Sequence, residues 1–147
     1  MFAEPIQEIQ QLHKKKHTAK ARLLNEDNPA MLKVAGDLVD VRATFAIGKA
    51  QTIGLDIGGN RITYDVKERK LNGAPLNPVD GKVMIQVLVD RPMLEICGNK
   101  GRVFLTTSRQ EKGNVENVKA FATDGEARLL NLEVYELKSI WKNSGME

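Results

Sequence analysis

Apolar and polar side chains alternate in several separate segments of this chain, and this period of two limits its fold more than any other feature. Successive side chains of a β-strand point to opposite faces, so alternation over five or more residues predicts a half-buried strand. The segment DLVDVRATFAIG shows the pattern most clearly, because its apolar positions fall on every second residue. These positions are Val39, Val41, Ala43, Phe45 and Ile47.

Two further alternating segments, Gln51–Ile57 and Arg61–Val66, are separated by the residues GGN. Glycine and asparagine accept positive φ angles, so this connection predicts a tight hairpin turn. The segment Val83–Val89 alternates as well, and Met84 and Leu88 make its second face partly apolar. A strand with two apolar faces is typical of the middle of a sheet.

Another hairpin is predicted where Leu94 and Ile96 are followed by the turn GNKG and then by Val103 and Leu105. The closing segment GEARLLNLEVYELKSIW predicts one more strand, covered on both faces. Its alternation assigns one face to Leu130, Leu132 and Val134, and the other to Leu129, Tyr135 and Leu137. Many short strands between regular turns predict an all-β sandwich or barrel.

The N-terminal segment PIQEIQQLH, Pro5 to His13, has a different period. Its proline suits a first helical turn, and Ile6, Ile9 and Leu12 are spaced three apart, which predicts one short helix before the strands. A length of 147 residues is enough for a single core, and we expect one domain over residues 1–147.

Composition excludes several classes of protein. No apolar run approaches the roughly 18 residues that a membrane span requires, and the N-terminus has acidic residues where a signal peptide needs an apolar core. The excess of positive charge that gives the net +3 is concentrated in one segment. Five of the 22 Lys and Arg lie from Lys14 to Arg22, and the rest of the chain has 17 basic residues against 19 Asp and Glu. This basic segment has no aromatic residues for stacking on bases, which favours a solvated surface over nucleic-acid binding.

Few residue types suited to catalysis or metal binding are present. The only histidines are His13 and His17, whose spacing in HKKKH would suit one helical face, but no third ligand accompanies them, so a solvated basic helix end is expected. Cys97 is the only cysteine, which excludes a disulfide framework and a thiolate metal cluster. We therefore predict no catalytic residues, no metal and no cofactor in this chain.

The stretch VDRPMLEICGNKG contains most of the remaining polar candidates. Asp90, Arg91 and Pro92 fall between two predicted strands, and Asp90 and Glu95 are expected to point in different directions. An aspartate and a guanidinium there can bond free backbone groups and fix the crossing between strands, and a binding role is the alternative. Trp141, after the last strand, is a candidate either for a sugar platform or for packing against another domain.

These residues also carry a resemblance to a known family. The stretch APLNPVDGKVMIQVLVDRPMLEICGNKGRVFLTT, with PIQEIQQL before it and NLEVYELKSIW after it, resembles the C-terminal module of the family 32 glycoside hydrolases, the levanases, inulinases and invertases. Two parts are the most specific, the terminal LKSIW and a VDR-x-x-x-E-I-x-G-N-x-G pattern. The pattern falls on Val89, Asp90, Arg91, Glu95, Ile96, Gly98, Asn99 and Gly101, and Cys97 replaces the bulky aromatic residue that is usual between them.

The resemblance implies a concanavalin-like sandwich of two antiparallel sheets. It also implies a partner, because the catalytic motifs of the family, resembling WMNDPNG, RDP and EC, belong to a preceding five-bladed propeller and none of them occurs here. Asp90, Arg91, Glu95 and Asn99 would then serve as strand-crossing or interdomain contacts.

Two hypotheses follow for the function. The first is a non-catalytic accessory module that packs against and stabilises a fructan- or sucrose-hydrolysing propeller. The surface of such a module could also form a contact between copies in a homo-oligomer. The second is an autonomous lectin-like module that binds fructans or other glycans, against which the small number of aromatic residues argues.

Overall fold

In a computed structural model, the protein is an antiparallel β-sandwich, described here for residues 13–34, 38–90, 93–99, 102–108 and 115–137. These residues form thirteen strands and two sheets. The predicted all-β fold of two antiparallel sheets is therefore confirmed. The predicted N-terminal helix falls on residues 5–12, outside the described part, apart from His13, which begins a strand.

The first sheet has seven strands in the order β1-β13-β4-β9-β10-β11, with β2 pairing to the other end of β13. The strands are β1 (His13–Ala19), β2 (Arg22–Leu24), β4 (Leu38–Ala46), β9 (Lys82–Asp90), β10 (Met93–Gly98), β11 (Val103–Ser108) and β13 (Ala127–Leu137). All of its pairings are antiparallel.

The second sheet has six strands in the order β3-β12-β5-β6-β7-β8. They are β3 (Ala30–Lys33), β5 (Thr52–Ile57), β6 (Asn60–Asp65), β7 (Lys70–Leu71), β8 (Ala74–Pro75) and β12 (Asn117–Thr123). The predicted hairpin turn between β5 and β6 is present, with positive φ angles of 57° at Gly58 and 92° at Gly59.

One core lies between the sheets. It includes alternate residues that the sequence pattern assigned to the inner faces, and many of them are fully buried, among them Val41, Phe45, Ile53, Tyr64 and Val87. Tyr64 also donates a hydrogen bond of 2.6 Å from its hydroxyl group to the Leu76 carbonyl oxygen. The hydroxyl of this fully buried ring therefore has a partner, as a buried polar group requires.

Two sequence-based predictions about local structure were wrong. The basic segment around HKKKH is not the end of a helix but the edge strand β1, which pairs with β13 over its length. In β13, the register shifts between Leu129 and Asn131, and this irregularity places Leu129 in the core with Leu132. A bulge adds one residue to a strand and so reverses the alternation of its faces, which the sequence pattern cannot anticipate.

No helix among the described residues is long and apolar enough to cross a membrane.

Candidate functional site

The stretch from Asp90 to Asn99 begins at the end of β9 and contains β10 of the β9–β10 hairpin, and its polar residues lie in two different places. Asp90 pairs with Met93, and Leu88 pairs with Glu95, so Asp90 and Glu95 share the outer face of the first sheet. The prediction that these two side chains point in different directions was wrong. In the register of the hairpin, Asp90 pairs with Met93, and Glu95 lies two residues after Met93, so all three side chains are on the same face. Arg91 and Pro92 lie outside the described residues.

The shared face has an electrostatic consequence for Glu95. Its side chain is half-buried, and this desolvation raises the pKa of its carboxyl group, while the nearby negative charge of Asp90 raises it further. Both effects disfavour the ionised form. The ionised form of Glu95 is therefore disfavoured at this position beside Asp90.

Replacing Glu95 by glutamine is expected to raise the melting temperature of the chain at pH 7. Because the folded-state pKa of Glu95 lies above its ordinary value of 4.5, its contribution to stability is fully present below that ordinary value and is lost as the pH rises through the folded-state pKa. Glutamine does not titrate, so the advantage of Glu95→Gln should disappear below about pH 4. Thermal melts at both pH values, with the exposed Glu116→Gln as control, check this; a pH-independent effect of Glu95→Gln would contradict it.

Asn99 and Gly98 occupy the other end of the hairpin, where the two sheets come together. Asn99 has a left-handed φ of 47° and is buried, and its side chain accepts a hydrogen bond of 2.7 Å from the Met84 amide and donates one of 2.9 Å to the Asn77 carbonyl oxygen. A Cβ atom on Gly98 would lie 2.6 Å from Leu76 Cδ2. This pair of residues therefore joins β9 to the loop that follows β8.

A continuous charged array crosses the outer face of the first sheet over strands β1, β13, β4 and β9. Asp40 is fully buried although it points outward, and its Oδ2 accepts hydrogen bonds from Arg42 Nη2 at 2.7 Å and Nε at 3.2 Å. The Arg42 guanidinium group in turn lies 4.9 Å from the centre of the Tyr135 ring. Gln86 approaches the second carboxylate oxygen of Asp40 at 3.4 Å.

The array continues to the edge of the sheet. The Tyr135 hydroxyl group donates a hydrogen bond to Glu133 at 3.3 Å, and Glu133 forms an ion pair of 3.1 Å with Lys16 of the edge strand. Lys16 also lies 5.5 Å from the centre of the Tyr135 ring. We call these six residues the outer-face array: Lys16, Asp40, Arg42, Gln86, Glu133 and Tyr135.

None of the residues of this array was predicted as a site from the sequence. A signal was present, because Asp40 and Arg42 are opposite charges two residues apart on the same face of a strand predicted to lie within the sheet. Beside the array, Leu38 and Leu88 are buried and pack with Tyr135 in a small apolar cluster separate from the main core. The outer face of the first sheet thus has an apolar and aromatic centre.

The side chain of His17 contacts a carboxylate of the neighbouring strand. His17 Nε2 lies 2.6 Å from Glu136 Oε2, across the pairing of β1 with β13. Among the described residues, no group of three or more His, Cys, Asp or Glu is arranged to hold a metal ion.

The outer face of the second sheet offers a different surface. Phe121 lies over Gly54 of the neighbouring strand, and the Arg61 guanidinium group stacks on its ring at 4.3 Å from the ring centre. These side chains border a shallow depression of about 260 Å³, which Asp56 and Lys119 also line. Because Phe121 is only 7% exposed, its ring does not offer an open platform for a sugar. Trp141, the other aromatic candidate, lies outside the described residues.

The fold and these surfaces define a β-sandwich module that carries a connected array of charged and aromatic side chains on the outer face of its first sheet. Residues 7–136 match the sequence profile described as Glycosyl hydrolases family 32 C terminal, and the chain belongs to this family. This match confirms the resemblance noted from the sequence.

Individual relatives agree with this assignment. The chain is 27% identical over 134 residues to a levanase of Bacillus subtilis, covering 73% of this chain and 20% of the levanase. Its fold matches an exo-inulinase of Aspergillus awamori with a TM-score of 0.68 at 18% identity, over 88% of this chain and 30% of that one. It also matches fructan 1-exohydrolase IIa of Cichorium intybus with a TM-score of 0.66 at 12% identity, over 94% of this chain and 38% of the other. The chain thus spans only a fifth to two fifths of these relatives.

Proposed function

We propose that this chain is a non-catalytic accessory module, which packs beside and stabilises the catalytic propeller of an enzyme that hydrolyses β-fructosides. The observation that carries the proposal is the match of residues 7–136 to a C-terminal family segment, combined with the small share of the levanase that the chain covers. The rest of such an enzyme, here called the parent enzyme, would contain the catalytic groups. Its substrate class is inferred from the names of the relatives, which act on levan, inulin or other fructans.

The geometry of the sandwich supports a non-catalytic role. Glycoside hydrolysis requires a carboxylic acid and a carboxylate on either side of the scissile bond, in a site that encloses the sugar. Asp90 and Glu95 both lie on the outer face of one sheet rather than on opposite sides of a cleft. Asp40 and Glu133 are engaged by Arg42 and Lys16.

We further propose that the polar residues of the hairpin have structural roles. Asn99 bonds backbone groups of Met84 and Asn77, which supports a role in joining the hairpin to the neighbouring loop. Asp90, at the opposite end of the hairpin, would fix the strand crossing together with Arg91, and Glu95 would contribute to a contact with the parent enzyme. Trp141 would pack against that enzyme rather than bind sugar.

The purified chain is expected to release no fructose from sucrose, inulin or levan, because the paired carboxylates that this reaction needs would belong to the parent enzyme. Reducing-sugar assays over several hours check this, with a levanase as positive control. Glu95→Gln and Asp90→Asn distinguish a contaminant from a genuine activity. Turnover that co-purifies with the chain and is lost in either variant would show that the module is itself an enzyme.

A further inference from the structure

A trough lies at one end of the first sheet, where β4 ends and β13 begins. Its volume is about 500 Å³, which is larger than the depression beside Phe121 and within the range typical of small-molecule sites. Six of the residues that line it are Leu23, Ala46, Lys49, Glu126, Ala127 and Arg128.

Strand pairing places an arginine between two apolar side chains on the floor of the trough. Leu23 of β2 pairs with Arg128, and Arg128 pairs with Ala46 of β4, so the three side chains form one row across the sheet. Their sequence neighbours Leu24 and Phe45 are buried in the core, so the row points outward. Alanine at position 46 leaves space that a larger side chain would fill.

One wall of the trough is formed by two loops that pack backbone against backbone. The amides of Lys49 and Ala50 both donate hydrogen bonds to the Glu126 carbonyl oxygen, at 2.9 and 3.1 Å. A Cβ atom on Gly48 would overlap the same oxygen, and Gly125 has a φ angle of 133°. A wall held by backbone contacts keeps its shape without a ligand, so binding requires little ordering of the protein.

The trough also exposes apolar surface. Leu23 is 43% exposed, although it is a large apolar side chain, and Ile47 is half-buried beside it. Covering this surface with a hydrocarbon group removes it from water, which is favourable.

The charges of the trough favour an anion. Lys49 and Arg128 are exposed, and neither side chain is in an ion pair within the residues that the structure describes. Glu126 is the only acidic residue of the lining, so positive charge exceeds negative charge there. A guanidinium group can also donate two parallel hydrogen bonds to one carboxylate.

The size of the trough favours a small molecule over a protein. Nine residues line it, whereas stable protein interfaces involve roughly 20–30 residues on each side. From these observations we infer that the trough binds a small amphipathic anion such as a medium-chain fatty acid. Its carboxylate would lie on Arg128 and Lys49, and its hydrocarbon chain would lie along Leu23 and Ala46. This inference does not depend on the proposed accessory function.

Titration of the isotope-labelled chain with sodium octanoate, followed by amide chemical shifts in NMR, tests the inference. We expect saturable binding in the millimolar range, with the shifts concentrated at Gly48, Lys49, Glu126 and Arg128. The neutral 1,2-octanediol has the same chain length without the charge, and it should bind at least about fivefold more weakly.

Two pairs of variants separate the roles of shape and charge. Ala46→Leu should weaken octanoate binding about tenfold, because it fills the trough, whereas Thr44→Leu, on the same face of β4 but outside the lining, should change it by less than about twofold. Arg128→Gln should weaken octanoate about fivefold and leave octanediol unchanged, and the exposed Arg102→Gln is its control.

A second pair keeps the test decisive if Ala46→Leu does not fold. The exposed Leu23→Gln removes apolar surface from the trough, and the exposed Met31→Gln removes it from the second sheet, so only the first should weaken octanoate binding.

Several outcomes would overturn the inference. These are shifts spread evenly over exposed apolar residues such as Met31 and Phe104, equal binding of octanediol and octanoate, or equal effects within a variant pair. Co-sedimentation of the chain with vesicles of anionic phospholipid, without binding of free octanoate, would indicate a membrane contact instead and would also overturn it. Binding with the expected selectivity in both pairs supports the site.

Discussion

Replacing Gly54 by alanine is expected to lower the free energy of unfolding by about 3 kcal/mol, because the sandwich has no room for a side chain at this position. A Cβ atom there would overlap the backbone carbonyl oxygen of Ile62 on the adjacent strand and would lie 3.0 Å from Phe121 Cζ. A backbone atom held in a sheet cannot move aside as the end of a flexible side chain can. Strands β5 and β6 would therefore have to separate locally, and the hydrogen bonds between them would weaken.

Chemical denaturation of the isolated chain measures this effect. Thr52→Ala is the matched control, since it also creates an alanine on β5, with the same outward direction, and should cost about 0.5 kcal/mol or less. A Gly54→Ala protein that unfolds at the same denaturant concentration as the Thr52→Ala protein would show that the sheet can relax around a methyl group. The packing of Phe121 over Gly54 would then be incidental.

The second large effect is expected for Asn99→Ala, which should cost about 2–4 kcal/mol. Alanine cannot accept the hydrogen bond from the Met84 amide or donate one to the Asn77 carbonyl oxygen, and it is disfavoured at the φ angle of 47°. Because Asn99 is buried, water does not readily replace these bonds. The loss should therefore exceed that of an ordinary surface substitution.

Two further variants separate these causes. Asn99→Gly accepts the left-handed φ angle but lacks both side-chain hydrogen bonds, so it should recover about 1 kcal/mol of the loss seen for alanine. Asn99→Asp keeps an acceptor for the Met84 amide but places a carboxylate oxygen beside the Asn77 carbonyl oxygen. Equal stability of the alanine variant and the unsubstituted chain would mean that the hydrogen bonds of Asn99 to Met84 and Asn77 do not stabilise the fold.

Much of the strand content could be predicted from the sequence because alternation is a local property. In β4 and β9, every second residue enters the core, and the sequence pattern assigned these residues to the correct face. The hairpin turn at Gly58 and Gly59 was also predictable, since positive φ angles select for glycine. By contrast, β7 and β8 have only two residues each and are too short for any period to be recognised.

The candidate site was predicted less completely. Asn99 was named from the sequence, yet its partners Met84 and Asn77 lie 15 and 22 residues earlier in the chain and are brought to it by folding. Asp40 and Tyr135 belong to strands almost a hundred residues apart and meet only because β13 pairs with β4. No local pattern connects such residues.

By itself, therefore, the sequence determined the all-β class, the inner faces of β4 and β9, and the family. Each of these depends on short segments of consecutive residues: the alternating strands, the turn residues, and the pattern from VDR to GNKG. The tertiary structure alone decided that HKKKH would form the edge strand β1, since its pairing with β13 outweighs the local preference of a lysine-rich segment. It alone decided the register shift in β13 and the burial of Asp40 on an outward face. The physical reason is that register and outer-face burial depend on which strands become neighbours, and long-range pairing sets those neighbours.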